Sequence, residues 1–359
     1  MNERDAELLD RALDLAERGR RTASPNPIVG CVIARDGRVL GEGWHVRRGE
    51  PHAERNALDD CSEPVVGATA YVSLEPCSHV GRQPPCADAL MAAGIARVVC
   101  AIGDPNPEVN GRGLARLRAA SVEVELAGGR HEARARRQNA AFRTAVVRGR
   151  PFVVLKLAAT LDGRSATSAG ESRWISSPES RRLVHDWRAE MDAVAVGSGP
   201  ALADDPELLP RDADPPAERL PLRIVFDRRG RLPAGSRLAQ TAARATVLRI
   251  APAGAPPPPA GVAALEAASL EQALRLLGER EVRSLLVEGG AELAAALLRA
   301  GLVDALALFL APRLIGGDGR PLLAPLGVGP LADAPALLET SVRRVGPDVL
   351  VEGVLHPLP

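Results

Sequence analysis

Residues 51–54 read Pro51-His52-Ala53-Glu54, and residues 76–86 read Pro76-Cys77-Ser78-His79-Val80-Gly81-Arg82-Gln83-Pro84-Pro85-Cys86. One imidazole and two thiolates supply three of the four tetrahedral ligands of Zn(2+) and leave the last position to water, which is the ligand set of a catalytic site. Glu54 stands two residues beyond His52, within reach of that water.

A His-x-Glu followed by Pro-Cys and a second Cys is the signature of zinc nucleobase deaminases. In that chemistry zinc lowers the pKa of its water, the hydroxide attacks the carbon bearing the amino group, and the glutamate carries the proton to the ring nitrogen and the departing amine. Glu54 is therefore the expected proton shuttle. The residues after His52 and after Cys86 read as helix starts, where the helix dipole favours a thiolate and nearby negative charge. The spacing departs from the usual motif, because eight residues separate the cysteines. A zinc-stabilised binding module with a fourth protein ligand is the competing reading, and it needs no Glu54.

Outward from this site the pattern is layered α/β. Apolar positions at helical spacing predict a helix over 3–17. Strands over 29–34 and 38–41 flank Asp36-Gly37, a tight hairpin turn. Strands over 69–74 and 97–101 alternate with helices over 53–59, 87–93 and 114–120, and an Arg-rich helical segment over 131–147 closes this half. Cys31, Cys61 and Cys100 read as ordinary thiols, and His131 as a surface residue. Pro151 interrupts the helix before a strand over 152–157, so the domains are expected at 1–149 and 150–359.

The second half repeats the alternation, with strands over 193–196, 223–226, 246–250, 284–288 and 305–310 and helices over 180–190, 270–278 and 293–300. Four prolines within 255–260 make a surface loop. No G-x-G-x-x-G fingerprint opens a βαβ unit. Val287-Glu288-Gly289-Gly290 joins a strand to a helix, which is either a place where bare backbone and helix N–H groups meet an anionic ligand or a plain tight turn. Arg228-Arg229-Gly230-Arg231 could meet an NADP 2′-phosphate or form a solvated turn.

Composition narrows the partners. Lys+Arg 45 against Asp+Glu 45, with 2% aromatic residues, gives neither the field nor the stacking surface that nucleic acid requires. A polynucleotide deaminase, the runner-up enzyme, loses ground on both counts. No run of about 18 apolar residues exists and the first ten residues are charged, so neither a membrane nor a secretory route is expected and the location is read as cytoplasmic. Five cysteines in 359 residues suit reduced thiols and metal better than disulfides.

Longer matches carry a resemblance over nearly the whole chain. Ser24-Pro25-Asn26-Pro27-x-Val29-Gly30, Pro51-His52-Ala53-Glu54, Leu74-Glu75-Pro76-Cys77-Ser78-His79 and Gly81-Arg82-x-Pro84-Pro85-Cys86 are similar to the deaminase half of the bifunctional deaminase/reductase of riboflavin biosynthesis. Lys156-Leu157-Ala158-Ala159-Thr160-Leu161-Asp162-Gly163, Gly170-Glu171-Ser172-Arg173-Trp174-Ile175, Leu202-Ala203-Asp204-Asp205-Pro206 and Val287-Glu288-Gly289-Gly290 resemble its reductase half. The resemblance implies two α/β domains: an N-terminal cytidine-deaminase-like three-layer α/β/α domain and a C-terminal dihydrofolate-reductase-like α/β domain that binds NADPH without a Rossmann fingerprint.

The resemblance also implies the reactions and the site residues. A 2,5-diamino-6-(5-phosphoribosylamino)pyrimidin-4-one would be deaminated, and the ribosyl side chain of the uracil product reduced to ribityl. His52, Cys77 and Cys86 would hold zinc, Glu54 would move protons and Asn26 would orient the pyrimidine. His45, His79, Arg82 and Asn106 would line the pocket or hold the substrate phosphate. In the second half Ala158, Trp174, Asp204 and Gly290 would contact NADPH, while Lys156, Ser172, Arg188, Leu208, Arg211 and Glu288 would contact the substrate. Pro200 stands where the family offers a hydroxyl. A homo-oligomer through the reductase half is a further implication. A second half reduced to a scaffold is the alternative, separable by NADPH oxidation that depends on the deaminated intermediate.

Overall fold

A computed structural model describes residues 1–78 and 84–359. They form two compact units, Met1–Arg148 with Pro359, and Gly149–Leu358. The first contains, in chain order, α1 (Glu3–Glu17), β1 (Gly30–Arg35), β2 (Arg38–Trp44), α2 (Ala53–Asp59), β3 (Thr69–Val72), α3 (Cys86–Ala92), β4 (Arg97–Cys100), α4 (Arg112–Ala119), β5 (Glu123–Leu126), α5 (Gly129–Gln138) and α6 (Ala140–Arg148). Its sheet runs β2-β1-β3-β4-β5. β1 is antiparallel to both neighbours, whereas β3, β4 and β5 are parallel.

Alternation along β1 separates the two helical layers. Cys31 and Ile33 pack with Ala53, Ala57, Leu90 and Leu117 of α2, α3 and α4. Val32 and Ala34 face the opposite way, onto Leu8, Leu9, Ala12 and Leu13 of α1 and Ala135 of α5. This is the expected three-layer sandwich. Asp5 fastens α1 to the sheet, accepting from Tyr71 Oη at 2.7 Å and from Arg97 Nη1 and Nη2 at 2.8 and 3.0 Å. Asp36 and Gly37 take φ values of 51° and 76°, the left-handed pair the hairpin turn demands.

Three details differ from the sequence reading. The segment over 131–147 is two helices that meet at Asn139. His131 is only 3% exposed, with Nε2 3.5 Å from Asp10, because α5 lays this face against α1. Strand β5 was not foreseen, since its Glu-Val-Glu-Leu offers one short alternation at a sheet edge.

The second unit contains β6 (Phe152–Thr160), β7 (Arg164–Ala166), α7 (Pro178–Glu190), β8 (Ala193–Gly197), α8 (Ser198–Asp204), β9 (Leu222–Phe226), α9 (Arg237–Gln240), β10 (Val247–Ala251), β11 (Ala263–Glu266), α10 (Leu270–Glu279), β12 (Ser284–Val287), α11 (Ala291–Arg299), β13 (Ala305–Ala311), β14 (Arg320–Pro321), β15 (Leu338–Val345) and β16 (Asp348–Val354). Nine of these strands form one sheet, β11-β10-β9-β8-β12-β6-β13-β16-β15. It is parallel from β11 to β13 and antiparallel through β16 and β15. Helices α10 and α11 cover one face through Leu274, Leu277, Ala294 and Leu297, and α7 meets the other through Val184.

Gly41 and Gly43 on β2 let α2 lie directly on the strand. A Cβ at Gly43 would stand 2.4 Å from the Ala57 nitrogen and 2.5 Å from the Ala53 oxygen. Gly43→Ala is therefore expected to push α2 outward and to cost about 2–3 kcal/mol, the overpacking range. The loss would register as a lower unfolding midpoint of the first unit, with that of the second unchanged.

Candidate active sites

Two short helices and one loop deliver the metal donors. His52 is the extended N-cap of α2, Cys86 is the first residue of α3, and Cys77 lies five residues beyond β3. His52 Nδ1 is 3.2 Å from Cys86 Sγ and 3.6 Å from Cys77 Sγ, and all three donor atoms fall within 4.8 Å of one another. Tetrahedral donors around zinc, with bonds of roughly 2.0–2.3 Å, stand roughly 3.3–3.8 Å apart. One imidazole and two sulfurs at this spacing fit zinc in both chemistry and size.

Their electrostatics favour the metal-binding forms. The Cys77 thiol is drawn down to about 4, first by its hydrogen bond with the Cys86 thiol, then by His52 and the Cys86 amide, which donates to Cys77 Sγ at 3.3 Å. That same bond and burial push Cys86 up. A bound cation would remove this competition and hold Cys77 and Cys86 both as thiolates. His52 is raised, chiefly by its hydrogen bond with Cys77.

Glu54, in the first turn of α2, is 3% exposed. Burial, and secondarily the Cys77 sulfur, raise its carboxyl above the ordinary value. It opens with His52 and Cys77 onto a cavity of about 310 Å³ that Asn26, His45 and Asn106 also line. His45 Nδ1 lies 3.2 Å from the Pro51 carbonyl and Nε2 lies 3.0 Å from Asn26 Nδ2. The carbonyl can only accept, so Nδ1 carries the proton and Nε2 accepts from Asn26. Burial keeps this imidazole neutral by lowering its pKa. Asn106 accepts from the Glu108 amide through Oδ1 at 3.1 Å. His79 and Arg82 lie outside the described residues.

Sequence reasoning gave Glu75 no role. Its buried carboxylate accepts four backbone amides, from Asp104 at 3.2 Å, Gly111 at 2.9 Å, Gly113 at 3.0 Å and Leu114 at 3.3 Å. It thereby holds the loop that carries Asn106 and the start of α4. The available signal was a glutamate directly after an apolar run and two residues before a metal-donor cysteine. Phe142 of α6 lines the same cavity and was also unanticipated.

The second unit holds a cavity of about 1370 Å³. Lys156, Ala158, Ser172, Trp174, Arg188, Asp204, Leu208, Arg211, Glu288 and Gly290 all line it. Arg188 and Glu288 form a two-bond pair, Nε–Oε1 at 2.5 Å and Nη2–Oε2 at 2.8 Å. Burial alone would raise the Glu288 carboxyl, but Arg188 overrides it and holds the group below its usual value. Burial lowers Lys156, and the nearby Glu288 only partly restores it. Arg181 stacks 4.5 Å above the exposed Trp174 ring. Gly289 and Gly290 adopt φ values of 75° and 92° ahead of α11, so only glycines leave this helix N-terminus bare. His185 and Arg237, which no sequence motif flagged, line the cavity as well.

Two family models match. The Cytidine and deoxycytidylate deaminase zinc-binding region covers residues 2–102, and the RibD C-terminal domain covers 151–351. The riboflavin biosynthesis protein RibD of Escherichia coli strain K12 is 44% identical, over 96% of this chain and 98% of that one. The chain belongs to the RibD family. Two solved RibD-family structures share its fold throughout. Acinetobacter baumannii RibD matches with a TM-score of 0.89 and 37% identity over 98% of this chain and 99% of that one. The Thermotoga maritima diaminohydroxyphosphoribosylaminopyrimidine deaminase/5-amino-6-(5-phosphoribosylamino)uracil reductase matches at 0.87 and 35%, over 97% and 98%. Like its relatives, the chain is a bifunctional enzyme of riboflavin biosynthesis, with a zinc-dependent deaminase and an NADPH-dependent reductase. Among the described residues no helix is long and apolar enough to cross a membrane.

The ion pair in the second cavity has a measurable cost of disruption. Glu288→Ala leaves Arg188 facing Lys156 without a counter-charge and is expected to lower stability by about 3 kcal/mol. Because the Glu288 carboxyl sits below its unfolded value of about 4.3, its contribution is complete above that pH and drains away as pH falls through the folded value. Thermal unfolding should therefore lose stability below about pH 4 more steeply in the wild type than in the variant.

Proposed function

We propose that residues 1–149 deaminate a 2,5-diamino-6-(5-phosphoribosylamino)pyrimidin-4-one and that residues 150–359 reduce the ribosyl chain of the product. The observation that carries the first half is the meeting of His52, Cys77 and Cys86, with His52, Cys77 and buried Glu54 opening onto one cavity. His52 Nδ1 and the two sulfurs would hold the metal. Zinc, when bound there, supplies a Lewis acid that makes water nucleophilic at neutral pH.

The chain's own groups do the rest. Glu54 takes one proton from the attacking water and gives it to the ring nitrogen, then takes the second from the hydroxyl of the tetrahedral adduct and gives it to the amine, so the C–N bond breaks and ammonia departs neutral. Its raised pKa suits a group that must hold that proton between the two transfers. Asn26 spends one N–H on His45 and keeps its carbonyl and second N–H for the pyrimidine edge. His45, with both ring nitrogens engaged, orients Asn26, while His79, Arg82 and Asn106 would line the pocket or hold the phosphate.

For the second reaction the ribosyl ring opens to an imine, the C1′–O4′ bond breaking as the N–H proton passes to O4′; NADPH, when bound, would supply the hydride to C1′ while a solvent proton returns to the nitrogen. Ala158, Trp174, Asp204 and Gly290 contact the cofactor, and Lys156, Ser172, Leu208 and Arg211 contact the substrate with the Arg188–Glu288 pair. The volume of the cavity and the bare N-terminus of α11 support this reading. Since both guanidinium nitrogens facing Glu288 are engaged, Arg211 carries more of the phosphate charge than Arg188. Hydride transfer here rests on positioning. The enzyme works in the cytoplasm as a homo-oligomer through its reductase half, which leaves the exposed edge strand β15 available for pairing.

Glu54→Gln preserves the shape of the site but cannot carry a proton. It should retain zinc by elemental analysis, lose ammonia release by about 10³-fold, and still oxidise NADPH when given the deaminated intermediate. Unchanged ammonia release would exclude the mechanism. Dialysis against a chelator should likewise stop ammonia release and spare NADPH oxidation with that intermediate.

A further inference from the structure

The loop that offers Asn26 to the cavity is short of handles. In Ser24-Pro25-Asn26-Pro27-Ile28 two of five residues are prolines and bring no N–H. The Asn26 amide donates to the Ala23 carbonyl at 3.0 Å. The next residue that can be held through both of its backbone groups is Ile28, and one side chain takes both. Asn139 Nδ2 donates to the Ile28 carbonyl at 2.9 Å, and Asn139 Oδ1 accepts from the Ile28 amide at 2.9 Å. Asn139 is 3% exposed and is absent from the cavity lining.

Its place in the fold explains the break between α5 and α6. Asn139 adopts φ −103° and ψ 20°, while its amide still reaches the Ala135 carbonyl at 3.1 Å and its own carbonyl accepts from Arg143 at 2.9 Å. The helical path is thus bent and not abandoned, and the bend faces an amide group toward Ile28. Phe142, three residues on, lines the cavity that Asn26 serves. Only a primary amide suits this position, because donor and acceptor must lie side by side. Aspartate would set an oxygen against the Ile28 carbonyl, and an apolar residue would leave two buried backbone groups unpaired.

We propose that Asn139 is a positioning residue of the deamination site: it locks Ile28 and through it fixes Asn26 against the pyrimidine. This rests on the reading of Asn26 given above. The full chain with zinc bound is assayed for ammonia release from the diaminopyrimidine phosphate and for NADPH oxidation with the deaminated intermediate. Asn139→Leu and Asn139→Asp are expected to raise the deaminase KM about tenfold with kcat held within about twofold, full zinc content and an unaltered reductase. Asn26→Ala should raise the same KM, and adding Asn139→Leu to it should bring no further rise. A deaminase KM within about twofold of wild type in both Asn139 variants overturns the proposal. So does loss of zinc from both, which would make Asn139 a general strut. An unaltered KM in Asn26→Ala brings down the pocket reading itself.

Discussion

The first unit is organised by one geometric demand: three soft donors from separate segments must meet within a few ångströms, beside a carboxylate that water would otherwise solvate. His52 and Cys86 each stand where a helix begins, so both are fixed by how α2 and α3 lie on the sheet. For α2 the fixing element is β2, whose two glycines remove the side chains that would hold the helix away. Cys77 is fixed differently, by Glu75 two residues before it, whose carboxylate is tied to four amides. Burying Glu54 is expensive for a charged group. The cost appears as a raised pKa, and a proton carrier is the kind of group for which that shift is useful.

The second unit reaches a ligand site by a different route. In a parallel sheet, ligands gather at the carboxyl ends of the strands. Here β8 gives way to Gly199 and Pro200, and β12 to Glu288, Gly289 and Gly290, all of which line the large cavity. Two positive-φ glycines there leave the N-terminus of α11 bare, which on the proposed reading would serve where other nucleotide-binding folds use a longer phosphate loop. Side chains from α7, from the 204–211 segment and from α9 close the other walls.

How much of this could be read from the chain depended on whether a residue acts through its own chemistry or through its neighbours. The cluster of His52, Cys77 and Cys86 was legible because metal ligation demands particular side chains at particular places. Most strands that form the cores were legible from apolar runs, but β11 and β16, which carry Leu265 and Leu350 into the cores, were not. Nor was strand β15, since Leu338–Val345 is exposed along almost its whole length and shows no buried face to betray it. The opposite failure is His131, whose polar neighbours suggested solvent while α1 covers it. Glu75 and Asn139 stayed silent for a shared reason. Both serve backbone groups, and backbone groups leave no trace in sequence.

Charge explains why each cavity suits its ligand. A dication held by two thiolates would be neutral, and Glu54 beside it would add at most one negative charge, so the floor of the first cavity suits an uncharged ring and offers a phosphate no net positive charge. The phosphate of the proposed substrate would therefore lie toward the mouth, where Arg48 lines the wall. In the second cavity the balance reverses. Arg188 and Glu288 cancel, and the other charged lining residues are seven cations, Lys156, Arg173, Arg181, Arg182, Arg211, Arg237 and Arg320, against five carboxylates, Asp204, Asp205, Glu207, Asp212 and Glu292. A cavity with surplus positive charge suits two anionic ligands at once, a phosphorylated sugar and a dinucleotide, and it needs no long-range field from a chain whose formal charges sum to zero.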